Sequence, residues 1–213
     1  MRKPRVLLAD DHTLVLEGFR KLLEEEFELV GTVEDGRALL TTAPNLQPDV
    51  VLLDIAMPSL NGIEAARQLK KMMPEVKIIF VTMHADSAYV TEGFRAGASG
   101  YLLKRSAAAE LAQAIQAVLR GQHYVTPLIT SDLVRALIDS PPEHQPGPAA
   151  LTPRQREVLQ LVAEGHSLKE IANTLKISVK TVEFHKAQIM EQLNLHTTAE
   201  LTKYAITHGL TPP

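Results

Sequence analysis

Short apolar runs alternate with amphipathic stretches along the first half of the chain, and this alternation constrains the fold more than any other feature. The run Val50–Leu53 contains no polar residue, which is typical of a strand that is buried on both faces. Five such strand-then-helix units predict an α/β fold, in which a parallel sheet carries helices on both faces. The predicted strands cover residues 5–9, 28–33, 49–54, 76–81 and 100–103, and the predicted helices cover 13–25, 35–43, 61–72, 85–96 and 106–120.

A proline-rich segment divides the chain into two parts. Residues 139–148 contain four prolines and one glycine, which exclude a helix or a central strand and favour a linker. A helix is predicted at about 127–138, directly before this segment. We therefore predict a first domain over residues 1–122, a linker over 123–150 and a second domain over 151–213.

Only helical patterns follow the linker. Capping boxes, in which a hydroxyl residue precedes Glu or Gln by three positions, mark helix starts at Thr152, Ser167 and Thr197. The predicted helices of this small all-α domain cover 153–163, 168–174, 179–192 and 198–207. Because only a few residues separate the second helix from the third, the pattern predicts a helix-turn-helix, which is a DNA-binding geometry.

Charge and composition limit the partners that the chain can have. The net charge is −3, so the chain as a whole is not a basic nucleic-acid-binding protein. From Leu151 onward there are seven Lys and Arg and six Asp and Glu, so a DNA-binding domain there would have little excess positive charge. The chain has no cysteine, so disulfides and cysteine metal sites are excluded. No segment reaches the roughly 18 apolar residues of a membrane span, and residues 6–9 are too short for a signal peptide. We expect a cytoplasmic protein with no membrane partner.

Polar residues follow four of the predicted strands. Asp10 and Asp11 follow the first strand, Asp54 the third, Thr82 the fourth and Lys104 the fifth, and parallel strands bring such ends to one edge. Three converging carboxylates require a cation, and Mg²⁺ (or Mn²⁺) prefers oxygen ligands. Each residue alone could be an ordinary cap, turn or solvated side chain. The joint pattern instead favours phosphoryl transfer.

In that hypothesis each residue has a separate role. Asp54 attacks phosphorus and becomes an acyl phosphate, as carboxylates do in some ATPases. Asp10, Asp11 and Asp54 bind the metal, and the metal and Lys104 neutralise charge on the transferring oxygens. Thr82 donates a hydrogen bond to a phosphoryl oxygen.

The spacing of these residues, together with Met57 and Pro58 after Asp54, resembles the receiver domain of two-component response regulators over about residues 4–122. The resemblance implies a flavodoxin-like, doubly wound, five-stranded sheet with strand order 2-1-3-4-5, and Asp54 as the phosphoacceptor. It also implies a metal ligand from the main-chain carbonyl of Ala56. Tyr101 would be the switch aromatic that moves inward when Thr82 follows the phosphoryl group, although an ordinary core or surface aromatic remains an alternative.

The third helix of the second domain has two faces. Val179, Val182, Ile189 and Leu193 form an apolar stripe, and Phe184 points away from it, which suggests an interface. In a major groove, Phe184 or Ala187 would contact a thymine methyl, and Glu183 would accept from a cytosine amine. Candidate phosphate contacts are Lys169, Lys180, Thr181, His185 and Lys186. Packing at the helix edge for His185 and simple solvation for Glu183 remain alternatives.

Residues 151–161, 165–172, 177–186, 199–201 and 209–210 resemble the LuxR-type helix-turn-helix domain, so the whole chain resembles a NarL/FixJ-type response regulator. The resemblance implies a transcriptional regulator that is phosphorylated at Asp54 by a sensor histidine kinase. It implies double-stranded promoter DNA as a partner, RNA polymerase as a further candidate, and a homodimer on activation. The only expected chemistry is self-phosphorylation from a phosphodonor, so the protein is not expected to be a turnover enzyme.

Two other functions are open. The first is constitutive DNA binding, with the receiver serving only as a dimer scaffold. The second is an α/β enzyme with a nucleotide or flavin site. Against the second, the loop after the first strand is Asp10–Thr13, which matches neither a dinucleotide-binding fingerprint nor a P-loop.

Overall fold

The first domain is a parallel sheet with helices on both faces. The computed structural model describes residues 2–130 and 151–211. The strands are β1 (Arg5–Ala9), β2 (Glu28–Val33), β3 (Val50–Leu53), β4 (Lys77–Thr82), β5 (Gly100–Leu103) and β6 (Tyr124–Val125). Their order in the sheet is β2-β1-β3-β4-β5-β6, and every neighbouring pair is parallel.

The predicted strand order is confirmed, but the predicted number of five strands is wrong. β6 has two residues, which is too short for an alternation of apolar and polar side chains to be visible in the sequence. Tyr124 and Val125 pair with Gly100 and Tyr101, so β6 extends the sheet beyond β5.

Five helices cover the sheet, with bounds α1 (Thr13–Leu23), α2 (Gly36–Leu46), α3 (Gly62–Met72), α4 (Ser87–Arg95) and α5 (Ala107–Leu119). Successive strand residues point to opposite faces. Leu7 therefore packs in the core under α2, α3 and α4, whereas Leu8 packs in the core under α1 and α5. This is the doubly wound architecture that the sequence predicts.

Helix α2 runs three residues further than its sequence indicates. The predicted end of α2 is residue 43, but the helix continues to Leu46 and contains Pro44, a residue that disfavours a helix interior. Leu39 and Ala43 are fully buried, and Leu46 packs against the same core, so tertiary contacts hold the last turn in place.

The second domain contains α6 (Pro153–Ala163), α7 (Leu168–Leu175), α8 (Val179–Gln192) and α9 (Thr198–Thr207). All three predicted capping boxes are present. Lys176, the C-cap that follows α7, has a left-handed backbone with φ of 53°, and this allows the tight turn into α8. Val158, Ile171, Val182 and Leu201 belong to one separate core.

The region between the domains is described only at its start. Residues 127–130 are helical, as predicted, whereas the rest of the predicted helix and the proline-rich stretch 139–148 lie outside the described residues. Within residues 2–130 and 151–211, no helix has the length and apolar character needed to cross a membrane.

Candidate functional site

The structure brings the acids of the first and third strands together at the carboxyl edge of the sheet. β1 and β3 are neighbours, and the backbone N–H of Asp54 donates to the carbonyl of Ala9 at 2.9 Å. Asp10 and Asp54 are only 3% and 4% exposed. One potential ligand atom from each of Asp10, Asp11, His12 and Asp54 lies within 4.8 Å of the others. Sheet topology alone therefore creates a compact cluster of carboxylates.

Lys104 bridges two of these acids. Its Nζ lies 2.7 Å from Asp10 Oδ2 and 2.7 Å from Asp54 Oδ2. Burial by itself would lower the pKa of Lys104, but the charge of Asp54 and the hydrogen bonds to Asp10 and Asp54 outweigh it, so the pKa is raised. Lys104 is therefore a cation held against Asp54, the carboxylate that we predict to be the nucleophile.

Thr82 and Tyr101 are both fully buried beside this cluster. The Tyr101 ring packs 6.1 Å from the Phe80 ring, and its hydroxyl donates to the carbonyl of His84 at 2.9 Å. The backbone N–H of His84 donates to Thr82 Oγ1 at 3.4 Å. Burial raises the pKa of Tyr101 far above its usual range, with smaller effects from Tyr89, Asp54 and Asp86. In this structure Tyr101 points inward.

Two histidines of the site were missed in the sequence. His12 Nδ1 lies 2.9 Å from Asp11 Oδ1 and 3.1 Å from Asp10 Oδ1. His84 links Thr82 to Tyr101 through main-chain atoms, which any residue type could supply, so no sequence signal marks it. The position of His12 directly after Asp11 is a signal that could have been used.

The loop after Asp54 is tightly constrained. A Cβ added at Gly62 would lie 1.9 Å from the carbonyl oxygen of Asp54, so only glycine fits there. Ser59 has φ of 65°, a left-handed conformation that is uncommon for a residue other than glycine. Asn61 caps α3 by accepting from the backbone N–H of Glu64 at 3.0 Å. The loop therefore has one well-defined path between Asp54 and α3.

Helix α6 of the second domain packs against this loop. Gln160 is fully buried, and its side chain accepts from the Asn61 N–H at 2.8 Å and donates to the Met57 carbonyl at 2.9 Å. One turn later, Glu164 accepts from the Ser59 N–H at 3.1 Å. Burial raises the pKa of Glu164, although hydrogen bonds from Gln160 and Ser59 partly oppose this rise. Gln160 of α6 and Glu164, the residue that caps the end of α6, thus bind three main-chain groups of the loop.

Ion pairs extend the contact between the domains. Arg156 lies 3.2 Å from Glu64 of α3, and both side chains are almost fully buried. Glu157 lies 3.3 Å from Arg37 of α2. At the far end, a Cβ on Gly209 would lie 2.3 Å from the Tyr89 hydroxyl of α4. The sequence predicts none of these contacts, because polar residues on α6 are compatible with an exposed face.

The outward face of α8 is not covered by the first domain. Of the predicted DNA contacts, five are exposed, namely Lys169, Lys180, Glu183, Phe184 and Ala187. Phe184 is 58% exposed. The other three, Thr181, His185 and Lys186, are partly buried, and Lys186 Nζ donates to Thr198 Oγ1 of α9 at 2.9 Å. Five of the eight residues proposed to contact DNA are therefore exposed while α6 is docked.

A doubly wound sheet with acids and a lysine at its carboxyl edge, joined to a helix-turn-helix domain, defines a receiver-linked DNA-binding regulator. Residues 6–116 match the family model described as response regulator receiver domain. Residues 149–205 match the model described as bacterial regulatory proteins, luxR family. The chain belongs to the response regulators of the NarL/FixJ type.

Similar proteins span nearly the whole chain. The oxygen regulatory protein NreC of Staphylococcus carnosus is 37% identical, with 95% of this chain and 96% of NreC covered. The transcriptional regulatory protein DegU of Brevibacillus brevis is 36% identical, with 97% and 94% covered. A structure of RcsB from Salmonella enterica serovar Typhimurium, bound to a promoter with the phosphomimetic BeF₃⁻, has a TM-score of 0.66 at 31% identity, covering 97% of this chain and 100% of RcsB.

Proposed function

We propose that Asp54 is the phosphoacceptor of this regulator, that a sensor histidine kinase is its donor, and that its phosphorylation controls dimerisation and promoter binding. The observation that carries this proposal is the bridge from Lys104 to Asp54 and Asp10 at the edge of the sheet. An oxygen of Asp54 attacks phosphorus, and the bond from phosphorus to the donor nitrogen breaks. The electron pair of that bond stays on the histidine ring of the kinase.

The acidic cluster fits a hard divalent cation. Asp11 Oδ1 is buried and accepts no hydrogen bond within the described residues, although His12 Nδ1 lies 2.9 Å away. Asp10, Asp11, Asp54 and the main-chain carbonyl of Ala56 would hold Mg²⁺ (or Mn²⁺). When bound, the ion would neutralise charge on the phosphoryl oxygens.

The remaining polar groups of the site have distinct roles in this proposal. Lys104 lies against Asp54 and supplies a second positive charge to the phosphoryl oxygens. The Thr82 hydroxyl donates a hydrogen bond to a phosphoryl oxygen, and it no longer accepts the hydrogen bond from the His84 N–H. Because His84 also accepts from Tyr101, a shift of Thr82 changes the environment of the switch aromatic.

Dimerisation is the step that we propose to be controlled. Phe184 and Lys180 are exposed while α6 is docked, so the docked first domain does not cover these two proposed DNA contacts. A domain with an excess of one positive charge binds a single half-site weakly, whereas two linked copies gain avidity. The loop after Asp54 connects phosphorylation to α6 through Gln160 and Glu164.

The proposal also includes a cellular location and one further partner. Promoter DNA lies in the bacterial cytoplasm, and the protein is proposed to act there as a regulator rather than as a turnover enzyme. RNA polymerase is the candidate partner downstream of DNA binding.

Beryllofluoride with Mg²⁺ is expected to raise both dimer formation and DNA affinity of the full-length chain. The site would first be selected from random duplexes, and affinity would then be measured with and without the phosphoryl mimic, alongside sedimentation. We expect a gain of about 100-fold, since linking two half-sites gives avidity of that order. Equal affinity in both states would support the alternative, a constitutive dimer scaffold.

Lys180→Ala is expected to weaken binding by a similar factor for all DNA sequences. A phosphate contact carries no sequence information, so its loss should reduce the slope of log affinity against log salt by about 1. The matched control is Lys71→Ala, which removes an exposed lysine of α3 in the first domain. An unchanged salt slope in Lys180→Ala, measured against this control, would rule out the phosphate contact.

A further inference from the structure

Thr126 is a fully buried polar residue at the start of the region between the domains. It follows β6, and its hydroxyl oxygen accepts from the Leu103 N–H at 3.2 Å. The same oxygen lies 3.4 Å from Ser106 Oγ. Its own N–H donates to the Tyr101 carbonyl at 2.9 Å. A single residue outside β5 therefore contacts that strand and the turn that follows it.

The groups that Thr126 contacts lie on both sides of Lys104. Leu103 precedes Lys104, and Ser106 ends the turn after it, where Ser106 N–H donates to the Leu103 carbonyl at 3.0 Å. The Lys104 N–H donates to the Thr82 carbonyl at 2.8 Å. Since Lys104 Nζ must reach Asp10 and Asp54 at the same time, the path of this turn decides where the ammonium lies.

The hydroxyl groups form a consistent chain of donors. Ser106 Oγ donates to the Leu103 carbonyl at 3.1 Å, which leaves its oxygen free to accept from the Thr126 hydroxyl. The Thr126 oxygen then accepts the Leu103 N–H, so each hydroxyl gives one proton and accepts one. A valine would fill the same volume but would leave the buried Leu103 N–H unpaired, which is unfavourable. Packing alone therefore does not account for a hydroxyl at this position.

We infer that Thr126 is a positioning residue for Lys104, and that it fastens the start of the linker to the phosphoryl-transfer site. The inference rests on the proposed function of Asp54. The backbone of Thr126 continues into the linker, because the Ile129 N–H donates to its carbonyl at 3.1 Å. Ile129 is 2% exposed and lies in the same core as Tyr101. A shift of β5, or of the turn that contains Lys104, would therefore also move residues 127–130.

The test compares Thr126→Val with Thr126→Ser in the full-length chain. The readout is the dependence of phosphorylation rate on acetyl phosphate concentration with Mg²⁺. We expect Thr126→Val to lower the maximal rate about tenfold or more, with little change in the half-saturating concentration, because small misplacements of a reacting group are costly. Thr126→Ser retains the hydroxyl and should restore the maximal rate.

Controls separate positioning from folding. Thr41→Val makes the same chemical change at an exposed position of α2 and should leave the rate unchanged. If Thr126→Val does not fold, Ser106→Ala takes its place. This variant removes the hydroxyl that lies 3.4 Å from the Thr126 hydroxyl, and it should also lower the maximal phosphorylation rate. A wild-type rate in whichever of these two variants folds, or a rate in Thr126→Ser as low as in Thr126→Val, would overturn the inference. Absence of phosphoryl uptake at Asp54 in the wild-type chain would instead overturn the proposed function.

Discussion

Asp54→Asn is expected to take up no phosphoryl group from acetyl phosphate. The amide is close in shape to the carboxylate but lacks the charged oxygen that attacks phosphorus, so the covalent step cannot occur. The variant also loses the ionic part of its contact with Lys104, which is 2.7 Å from Asp54 Oδ2 in the wild-type chain. The measurement is intact-protein mass after incubation with acetyl phosphate and Mg²⁺, in which the wild type should gain the mass of one phosphoryl group.

The matched control for Asp54→Asn is Glu75→Gln. Glu75 is an exposed acid in the turn before β4, and its replacement makes the same carboxylate-to-amide change away from the site. This variant should be phosphorylated like the wild type. Continued phosphorylation of Asp54→Asn at another residue would contradict the assignment of Asp54 as the acceptor.

Arg156→Ala is expected to separate the two domains. It leaves Glu64 as a buried carboxylate without its cation, at a cost of about 3–5 kcal/mol, which is enough to shift the docking equilibrium more than 100-fold. The chain has no cysteine, so a pair of cysteines at the exposed positions Lys71 and Glu191 can be labelled selectively. The measurement is the distance between the two labels, which should lengthen and broaden in Arg156→Ala.

Two controls make the docking experiment decisive. Arg156 also donates to the Leu151 carbonyl at 2.6 Å, so its loss could disturb the start of α6 itself. Glu64→Ala breaks the same pair from the other domain and leaves that bond intact, and it should separate the domains as well. Arg95→Ala removes an exposed arginine that pairs with Glu92 at 3.2 Å, and it should leave the distance unchanged. Unchanged label distances in both Arg156→Ala and Glu64→Ala would show that the buried pair does not hold the domains together.

The convergence of the acidic residues could be predicted from their position after apolar runs and from the rule that parallel strands end at a common edge. Asp10 and Asp54 each end an apolar run, and parallel strands bring their carboxyl ends to the same edge. The positions of β1, β2 and β5, and the bounds of α6, α8 and α9, were also predictable, because periodicity and capping residues are local signals. The predicted end of α2 at residue 43 was wrong, because tertiary packing holds the helix through Pro44 to Leu46.

What the sequence by itself determined is which side chains meet at the sheet edge and the architecture of the two domains, since side-chain type and spacing carry that information. Only the tertiary structure decided that β6 pairs with β5, that Thr126 supports the turn of Lys104, and that Gln160 and Glu164 hold the loop after Asp54. In each case at least one partner is a main-chain N–H or carbonyl of a distant segment. Every residue has a main-chain carbonyl, and every residue except proline has a main-chain N–H. The amino-acid sequence therefore does not indicate which of these groups a distant side chain or strand will bind.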